Sequence, residues 1–486
     1  MSNVIENGLR EAGHGEPDTT AAPAADVHAA ASMTSRVLDH IKSDTAASAA
    51  SASVAQRDAL ASANPTPEPT QIGAPENTDK TSAPATDGSH LMAPAIPTQT
   101  DIHGIAYDFN DGVRVMVPAG AEGEWVAEFR DAEHDQILFR NSIKPGTLWT
   151  SRKRYFTAWN LKVWKDGQLV LDRQMKLEGK KVLVQFPMGL GTLGDFLGWL
   201  PFVDRLQKKH KCRLTAMLPQ HFIDLVGPMY PDLLMVPHEK VDPAAFHATY
   251  RLGLFFGDVD CTRQPSDFRY VGLHRTAGYI LGVDPTEEPP KLYLPDESRP
   301  IAEKYVVIAT KASTQCKYWN HVNGWREIIK FLKDAGYRVI CIDKEAVHGT
   351  GLVYNHLPHG CEDETGDRTL AERARWIKHA DFFIGLSSGL SWLAWAVGQK
   401  NIVMISGFTH PNNEFHTPYR VINFNTCNSC WNDPRHSFDH KDFLWCPRHA
   451  GTDRQFECTK LIAPGQVMNV IRTIPSFAAG NPRDAN

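Results

Sequence analysis

Four of the nine cysteines stand close together near the end of the chain. Cys427 and Cys430 form a C-x2-C pair, Cys446 closes the stretch "CNSCWNDPRHSFDHKDFLWC", and Cys458 follows in "QFECTK". Four thiolates at such spacing make a tetrahedral metal site. Zinc and a single iron both accept four thiolates, and spacing does not separate them. His436, His440 and His449 stand nearby as substitutes for a cysteine, but four thiolates already close the shell. A closed shell has no open position, so the metal is expected to be structural and no catalytic metal is expected. The stretch is not especially basic, which argues against a DNA-binding module. Cys212, Cys261, Cys316, Cys341 and Cys361 are scattered and read as ordinary thiols.

Reaction chemistry has three further candidate locations. In "PMGLGTLGDFLGW", Gly189, Gly191 and Gly194 leave the backbone free to bend, and Asp195 follows at a helix start. A carboxylate there could serve as general base on an acceptor hydroxyl. The helix dipole alone also favours an acidic residue at that position. In "IATKASTQCKYWN", Thr310, Lys311, Ser313, Thr314 and Lys317 put two cations and several hydroxyls beside a helix start, a combination suited to a pyrophosphate. No G-x-x-x-x-G-K-[ST] motif occurs there, so it is not a P-loop. In "DFFIGLSSGLSWLAWAVG", an apolar strand ends at Gly385, and Ser387, Ser388 and Gly389 lead into a helix, again a phosphate-binding turn. Ser388 serves equally well as a plain N-cap.

These residues need elements to hold them. Residues 1–101 hold no Phe, Tyr, Trp or Cys up to position 100 and are rich in Ala, Ser, Thr and Pro, which predicts a disordered tail. In 102–178, "GIAYDFNDGVRVMVP" and "LKVWKDGQLVLDRQM" each set an Asp-Gly turn between strand-like runs, with "EWVAEFRD" and "RKRYFTAW" between them. The expectation is a small antiparallel β domain. From Lys181 strands alternate with helices: "KVLVQF", "GDFLGWLPFVDRLQKKH", "CRLTAML", "DLLMVP", "RLGLFF" and the helical "VGLHRTAGYILG". After the proline-rich "EEPPKLYLPDESRP" a second series runs from "YVVIA" to "NIVMI". Alternation of this kind predicts parallel sheets covered by helices, hence an α/β chain of two Rossmann-like lobes, 179–296 and 297–425, with a cleft between them. Ligands should lie at the carboxyl ends of the strands. The metal finger spans 426–460, and a C-terminal helix and tail occupy 461–486. Because each lobe has its own apolar strands, metal loss is expected to unfold the finger only.

The formal net charge of -5 leaves no broad electrostatic footprint for nucleic acid or an anionic membrane. No apolar run is long enough to span a bilayer. "MSNVIENGLREAGHGEP" lacks the basic and apolar regions of a signal peptide, so the cytoplasm is the expected compartment.

The two-lobe pattern with "GLGTLGDF", "KASTQCKYW" and "GLSSGLSWLA" resembles the heptosyltransferases of glycosyltransferase family 9, which have the GT-B fold. "PNNEFHTPYRVI", followed by the four-cysteine insertion, is similar to the bacterial autotransporter heptosyltransferases, also called autotransporter strand-loop-strand O-heptosyltransferases. The resemblance covers residues 102 to 478. It implies that Asp195 deprotonates the acceptor hydroxyl, and that Lys311, Thr314 and Lys317 hold the donor phosphates. It also implies that Ser387, Ser388 and Gly389 form the second phosphate loop and that Glu414 lies near the donor's nucleoside. The donor would be ADP-glycero-β-D-manno-heptose, and the acceptors serines of an autotransporter adhesin. The cysteines would form an iron finger tied to assembly of a large homo-oligomer, with the β domain helping assembly or acceptor docking. The chain departs from lipopolysaccharide heptosyltransferases in one loop, where Ser387 and Ser388 replace an acidic residue and a threonine. Two other readings keep the same residues: a lipopolysaccharide-core acceptor, or a metal-clipped scaffold without activity.

Overall fold

The computed structural model describes residues 90–188 and 193–479. Residues 1–89, residues 189–192 with the candidate glycines Gly189 and Gly191, and residues 480–486 lie outside the described residues.

The first lobe is organised by strand β1, Lys181–Gln185, whose residues after Lys181 are all buried, as a central parallel strand requires. It pairs in parallel with Arg213–Met217 on one side and Ala248–Arg251 on the other, and Leu234–Val236 lies beyond Arg213–Met217. Counted along the chain, these four strands stand in the order 3-2-1-4. Helix α1, Leu193–His210, follows β1 and buries Phe196, Leu200 and Val203 against the sheet, as their spacing predicts.

The second lobe begins with β2, Tyr305–Ile308. Arg338–Cys341 and Glu362–Asp363 lie on one side of it; Phe383–Leu386 (β3), Ile402–Ile405 and Arg420–Val421 lie on the other. All pairs are parallel, and the order along the chain is 3-2-1-4-5-6. That order belongs to doubly wound dinucleotide-binding folds, which bind ligands where the order reverses. Here the reversal falls between β2 and β3, so the loops leaving these two strands flank the ligand crevice. Helix α2, Gly389–Ala396, follows β3.

Residues 102–178 depart from the expected separate β domain. Ala106–Asn110 pairs in parallel with Ala248–Arg251, and Arg114–Met116 and Leu148–Thr150 continue outward, so the first lobe's sheet has eight strands. Only Trp125–Asp131, Gln136–Ser142, Trp159–Lys165 and Gln168–Gln174 form a sheet of their own, antiparallel throughout. Asp166 and Gly167 both have positive φ, the conformation that joins twisted strands with two residues.

Three local expectations are corrected. "RKRYFTAW" is mostly loop, because the Arg154 and Phe156 N–H groups donate to the Thr262 and Ile280 carbonyls of the first lobe rather than to a strand. The strand placed at "RLGLFF" lies earlier, at Ala248–Arg251, and ends before Gly253. Residues 90–101 are not part of a loose tail. Leu91 is buried with Leu183, Met217 and Phe246, and the Gln185 side chain bonds both backbone groups of Leu91 at 2.8 and 3.2 Å.

The cysteine stretch has little regular structure and is built on rings. Phe408, Trp431, Phe438 and Trp445 meet mostly edge to face at 5.0–5.9 Å. Trp431 also meets Phe256 and Phe268 of the first lobe, at 5.7 and 6.0 Å. These rings belong to the same buried cluster as the first lobe's core. The finger is therefore not packed independently of the lobes. Beyond it, Pro464–Arg472 returns to the second lobe, placing Val467 and Ile471 against Val306, Ile308 and Ile405.

Candidate active site

A cleft of about 1390 Å³ opens between the lobes. Its lining includes Asp195 from the first lobe and Lys311, Ser313, Lys317, Ser387, Ser388, Gly389 and Glu414 from the second. Residues up to 219 positions apart in sequence thus share one cavity, because the carboxyl ends of β1, β2 and β3 all face it.

The lobes approach closely beside Asp195. A Cβ on Gly194 would lie 2.5 Å from Trp392 of α2, and one on Gly198 would lie 2.9 Å from His274 and 3.1 Å from Trp392. Two glycines in the first turns of α1 therefore let α1 rest on the Trp392 ring. A Cβ on Gly389 would sit 3.0 Å from Leu193, so the glycine at the start of α2 is needed for the same contact. Leu273 N–H donates to the Asn413 carbonyl at 2.8 Å, a direct backbone bond between lobes. Asp195 is buried at the start of α1 and faces this junction.

In the second lobe Asp343, just past Arg338–Cys341, fixes the loop that follows β2. It is buried and accepts from Thr310 N–H at 2.9 Å, Thr310 Oγ1 at 2.8 Å and Lys311 N–H at 3.2 Å. The Lys311 ammonium donates to the Thr310 hydroxyl and the His356 carbonyl, and lies 4.0 Å from Asp343. Thr310 and Thr314 do not line the cleft. Thr310 is spent on Asp343, and Thr314 is buried with its hydroxyl 3.3 Å from Cys316. Gly385 is inside β3, where a Cβ would meet Phe383 at 2.5 Å and Ser391 at 2.7 Å, so its role is packing. These three residues shape the loops without reaching the cavity.

The second loop offers an anion a helix start. Ser388 caps α2 without a side-chain bond to it, and its buried hydroxyl has no hydrogen-bond partner among the described residues. The N–H groups at the start of α2 and this hydroxyl suit a phosphate. Ser387 donates instead to Glu414. Glu414 is buried with Arg420 at 2.7 Å, and Thr409 and Asn413 donate to it at 3.3 and 3.2 Å. Burial pushes its carboxyl up, but the Arg420 charge and the bonds from Ser387, Arg420 and Asn413 outweigh this and hold it below the usual range. Glu414 is thus an ionised support under the Ser387 turn.

Sequence reasoning missed Asp343, Thr409, Asn413 and Arg420, which hold the loops, and Trp392, which spaces the lobes. The position of Asp343 at a strand's carboxyl end was its only signal. It missed the finger's share as well: Trp431 and His440 line the cleft. Desolvation at the wall and the nearby Lys317 charge lower the His440 pKa from its usual value.

The four finger cysteines share one neighbourhood. The Cys458 thiol is raised first by burial and then by Cys430, Cys316, Cys427 and Cys446; Cys430 is pushed up to about 12, first by burial and then by Cys427. Mutual repulsion of this kind is relieved by a cation among the sulfurs, and soft thiolates fit iron or zinc. Among the described residues, the ligand atoms gathered within 4.8 Å of one another are those of Cys427, His449 and Glu457.

Two Rossmann-like lobes, a carboxylate on one and diphosphate-type loops on the other, define a glycosyltransferase of GT-B-like fold. Residues 102–167 match the family described as glycosyltransferase TibC, N-terminal domain, and residues 284–441 match glycosyltransferase family 9 (heptosyltransferase). The chain is 52% identical over 385 residues to the autotransporter heptosyltransferase BAHTCr of Citrobacter rodentium, covering 78% of this chain and 91% of that one. It is 51% identical to the autotransporter heptosyltransferase TibC of Escherichia coli, covering 79% and 93%. A crystal structure of TibC, a dodecameric iron-containing heptosyltransferase in complex with ADP-D-β-D-heptose, matches with a TM-score of 0.76 and 49% identity, over 80% of this chain and all of that one. The chain belongs to the autotransporter heptosyltransferases of glycosyltransferase family 9.

Proposed function

We propose that the chain transfers heptose from ADP-glycero-β-D-manno-heptose to serine hydroxyls of an autotransporter adhesin, with inversion at the anomeric carbon. The observation that carries this reading is the shared cleft, with Asp195 on one wall and the two phosphate-type loops on the other. Asp195 accepts the serine proton as the serine oxygen bonds to the anomeric carbon. The bond from that carbon to the diphosphate oxygen breaks, and ADP leaves with the electron pair. Lys311, Lys317, the Ser388 hydroxyl and the start of α2 hold the charge that develops on ADP, a task met without a catalytic metal. Glu414 keeps the Ser387 turn in register beside the donor.

Cys427, Cys430, Cys446 and Cys458 hold one iron in a structural role, and the iron-containing TibC supports iron over zinc here. The dodecameric TibC likewise supports assembly of this chain into a large homo-oligomer. No disulfide joins cysteines among the described residues, which fits a reducing compartment, and the proposed location is the cytoplasm. No helix among the described residues is long and apolar enough to cross a membrane.

The test is the intact mass of an autotransporter passenger co-expressed with the enzyme and supplied with ADP-heptose, with Asp195→Ala as control. Increments of one heptose each, absent in the control, are the expected result. A passenger of unchanged mass beside a folded, iron-loaded enzyme would sink the protein-acceptor reading. Metal analysis should find about one iron per chain. Cys430→Ser should lower that content.

A further inference from the structure

We propose that the finger is also a wall of the donor site, with Trp431 and Phe438 as positioning residues that hold the Lys317 ammonium toward the diphosphate. This rests on the donor reading above. Lys317 Nζ lies 5.6 Å from the centre of the Phe408 ring, 5.8 Å from Trp431 and 5.5 Å from Phe438. Three aromatic faces around one cation make a box whose attraction is electrostatic. Trp431 and Phe438 are only 5% and 7% exposed; they touch each other at 5.1 Å, and Phe438 is backed by Trp445 at 5.0 Å, so close packing holds the box in place.

A lysine is a flexible point charge on a four-carbon stem and must be held to act at one spot. A carboxylate would hold it but would also neutralise it. Rings hold it and leave the positive charge available to an anion. Among the described residues no carboxylate lies within ion-pair distance of Lys317, whereas Lys311 stands 4.0 Å from Asp343. The finger grips the same loop through one backbone bond and one side-chain bond. Gln315 N–H donates to the Phe443 carbonyl at 2.8 Å, and Asn320 donates to the Thr459 hydroxyl at 2.8 Å. Trp431 itself lines the cleft. A finger serving assembly alone has no need of these contacts.

The experiment is ADP binding by titration calorimetry on the iron-loaded full chain. Its variants are Phe438→Leu, Trp431→Leu, Trp431→Phe and Lys317→Met, with Phe438→Leu/Lys317→Met as the double. Iron content and circular dichroism of each variant report whether the fold is intact. Phe438→Leu and Trp431→Leu should each weaken ADP binding about tenfold, while Trp431→Phe, which keeps a ring in place, should restore most of it. Once Lys317 is Met, Phe438→Leu should cost less than about twofold, because the two act through one another. Equal losses with and without Lys317, or no loss in the leucine variants, would overturn the box while leaving the donor reading standing. A wild-type chain that fails to bind ADP would remove the donor reading and this inference with it.

Discussion

Glu414 and Asp195 illustrate two uses of a carboxylate in one cleft. In the proposed reaction Asp195 accepts the serine proton, so Asp195→Ala should lower kcat by about 10²–10⁴-fold while leaving ADP-heptose affinity nearly unchanged. Turnover assays paired with calorimetry separate the two effects. Glu414 is a support: it is 3% exposed and surrounded by Arg420, Ser387, Thr409 and Asn413. Removing it leaves the buried Arg420 without its partner, and Glu414→Ala should destabilise the fold by about 3–5 kcal/mol in a denaturant titration. Its folded pKa is depressed, so its contribution is fully present above the unfolded value of about 4.3 and disappears as pH falls through the folded value. The Tm of the wild type should therefore fall more steeply below pH 4 than that of Glu414→Gln. The family resemblance implies a place for Glu414 near the donor's nucleoside, but only its buried partners, one of them Ser387 some 27 positions earlier, reveal a carboxylate that also holds a loop.

At the level of elements, the glycines of α1 set the distance between the lobes. Gly194→Ala places a methyl group 2.5 Å from the Trp392 ring, a rigid neighbour that cannot move aside. The expected result is a wider gap between Asp195 and the start of α2, and a kcat about tenfold lower with donor affinity retained. Comparing kcat with calorimetric ADP affinity checks it; an equal loss in both would point to general damage instead. Most of the strands and helices, and the places of the two Gly/Ser loops, were readable because apolar periodicity and Gly/Ser turns are local signals. The extent of the finger's contacts was not, since Trp431 meeting Phe256 and Phe268 depends on residues more than 160 positions apart.

Across the whole molecule, the expected independent β domain proves to be split between two sheets. Ala106–Asn110 covers the edge of Ala248–Arg251, and Asn110 bonds Thr249 at 2.8 Å and the Phe246 carbonyl at 3.0 Å. Asp108 and Arg114 form a buried ion pair beside them. A chain beginning at residue 179 would expose a paired strand edge and the apolar face beneath it, both of which promote association. It should be aggregated or unfolded by size-exclusion chromatography and circular dichroism, where a true two-domain protein would leave a monodisperse, folded fragment. Composition could not anticipate this, because an Asp-Gly turn marks a hairpin without saying which sheet the hairpin joins.

The bond from Gln315 N–H to the Phe443 carbonyl has a consequence for biosynthesis. Chains leave the ribosome amino end first, and domains tend to fold as they emerge. Every strand of the second lobe's sheet is made by Val421, yet the carbonyl that fixes the Gln315 backbone is made more than twenty residues later. A nascent chain can thus complete the sheet of its second lobe while the loop proposed to hold the diphosphate still lacks its anchor. The order of translation itself delays competence until the finger has been synthesised and closed.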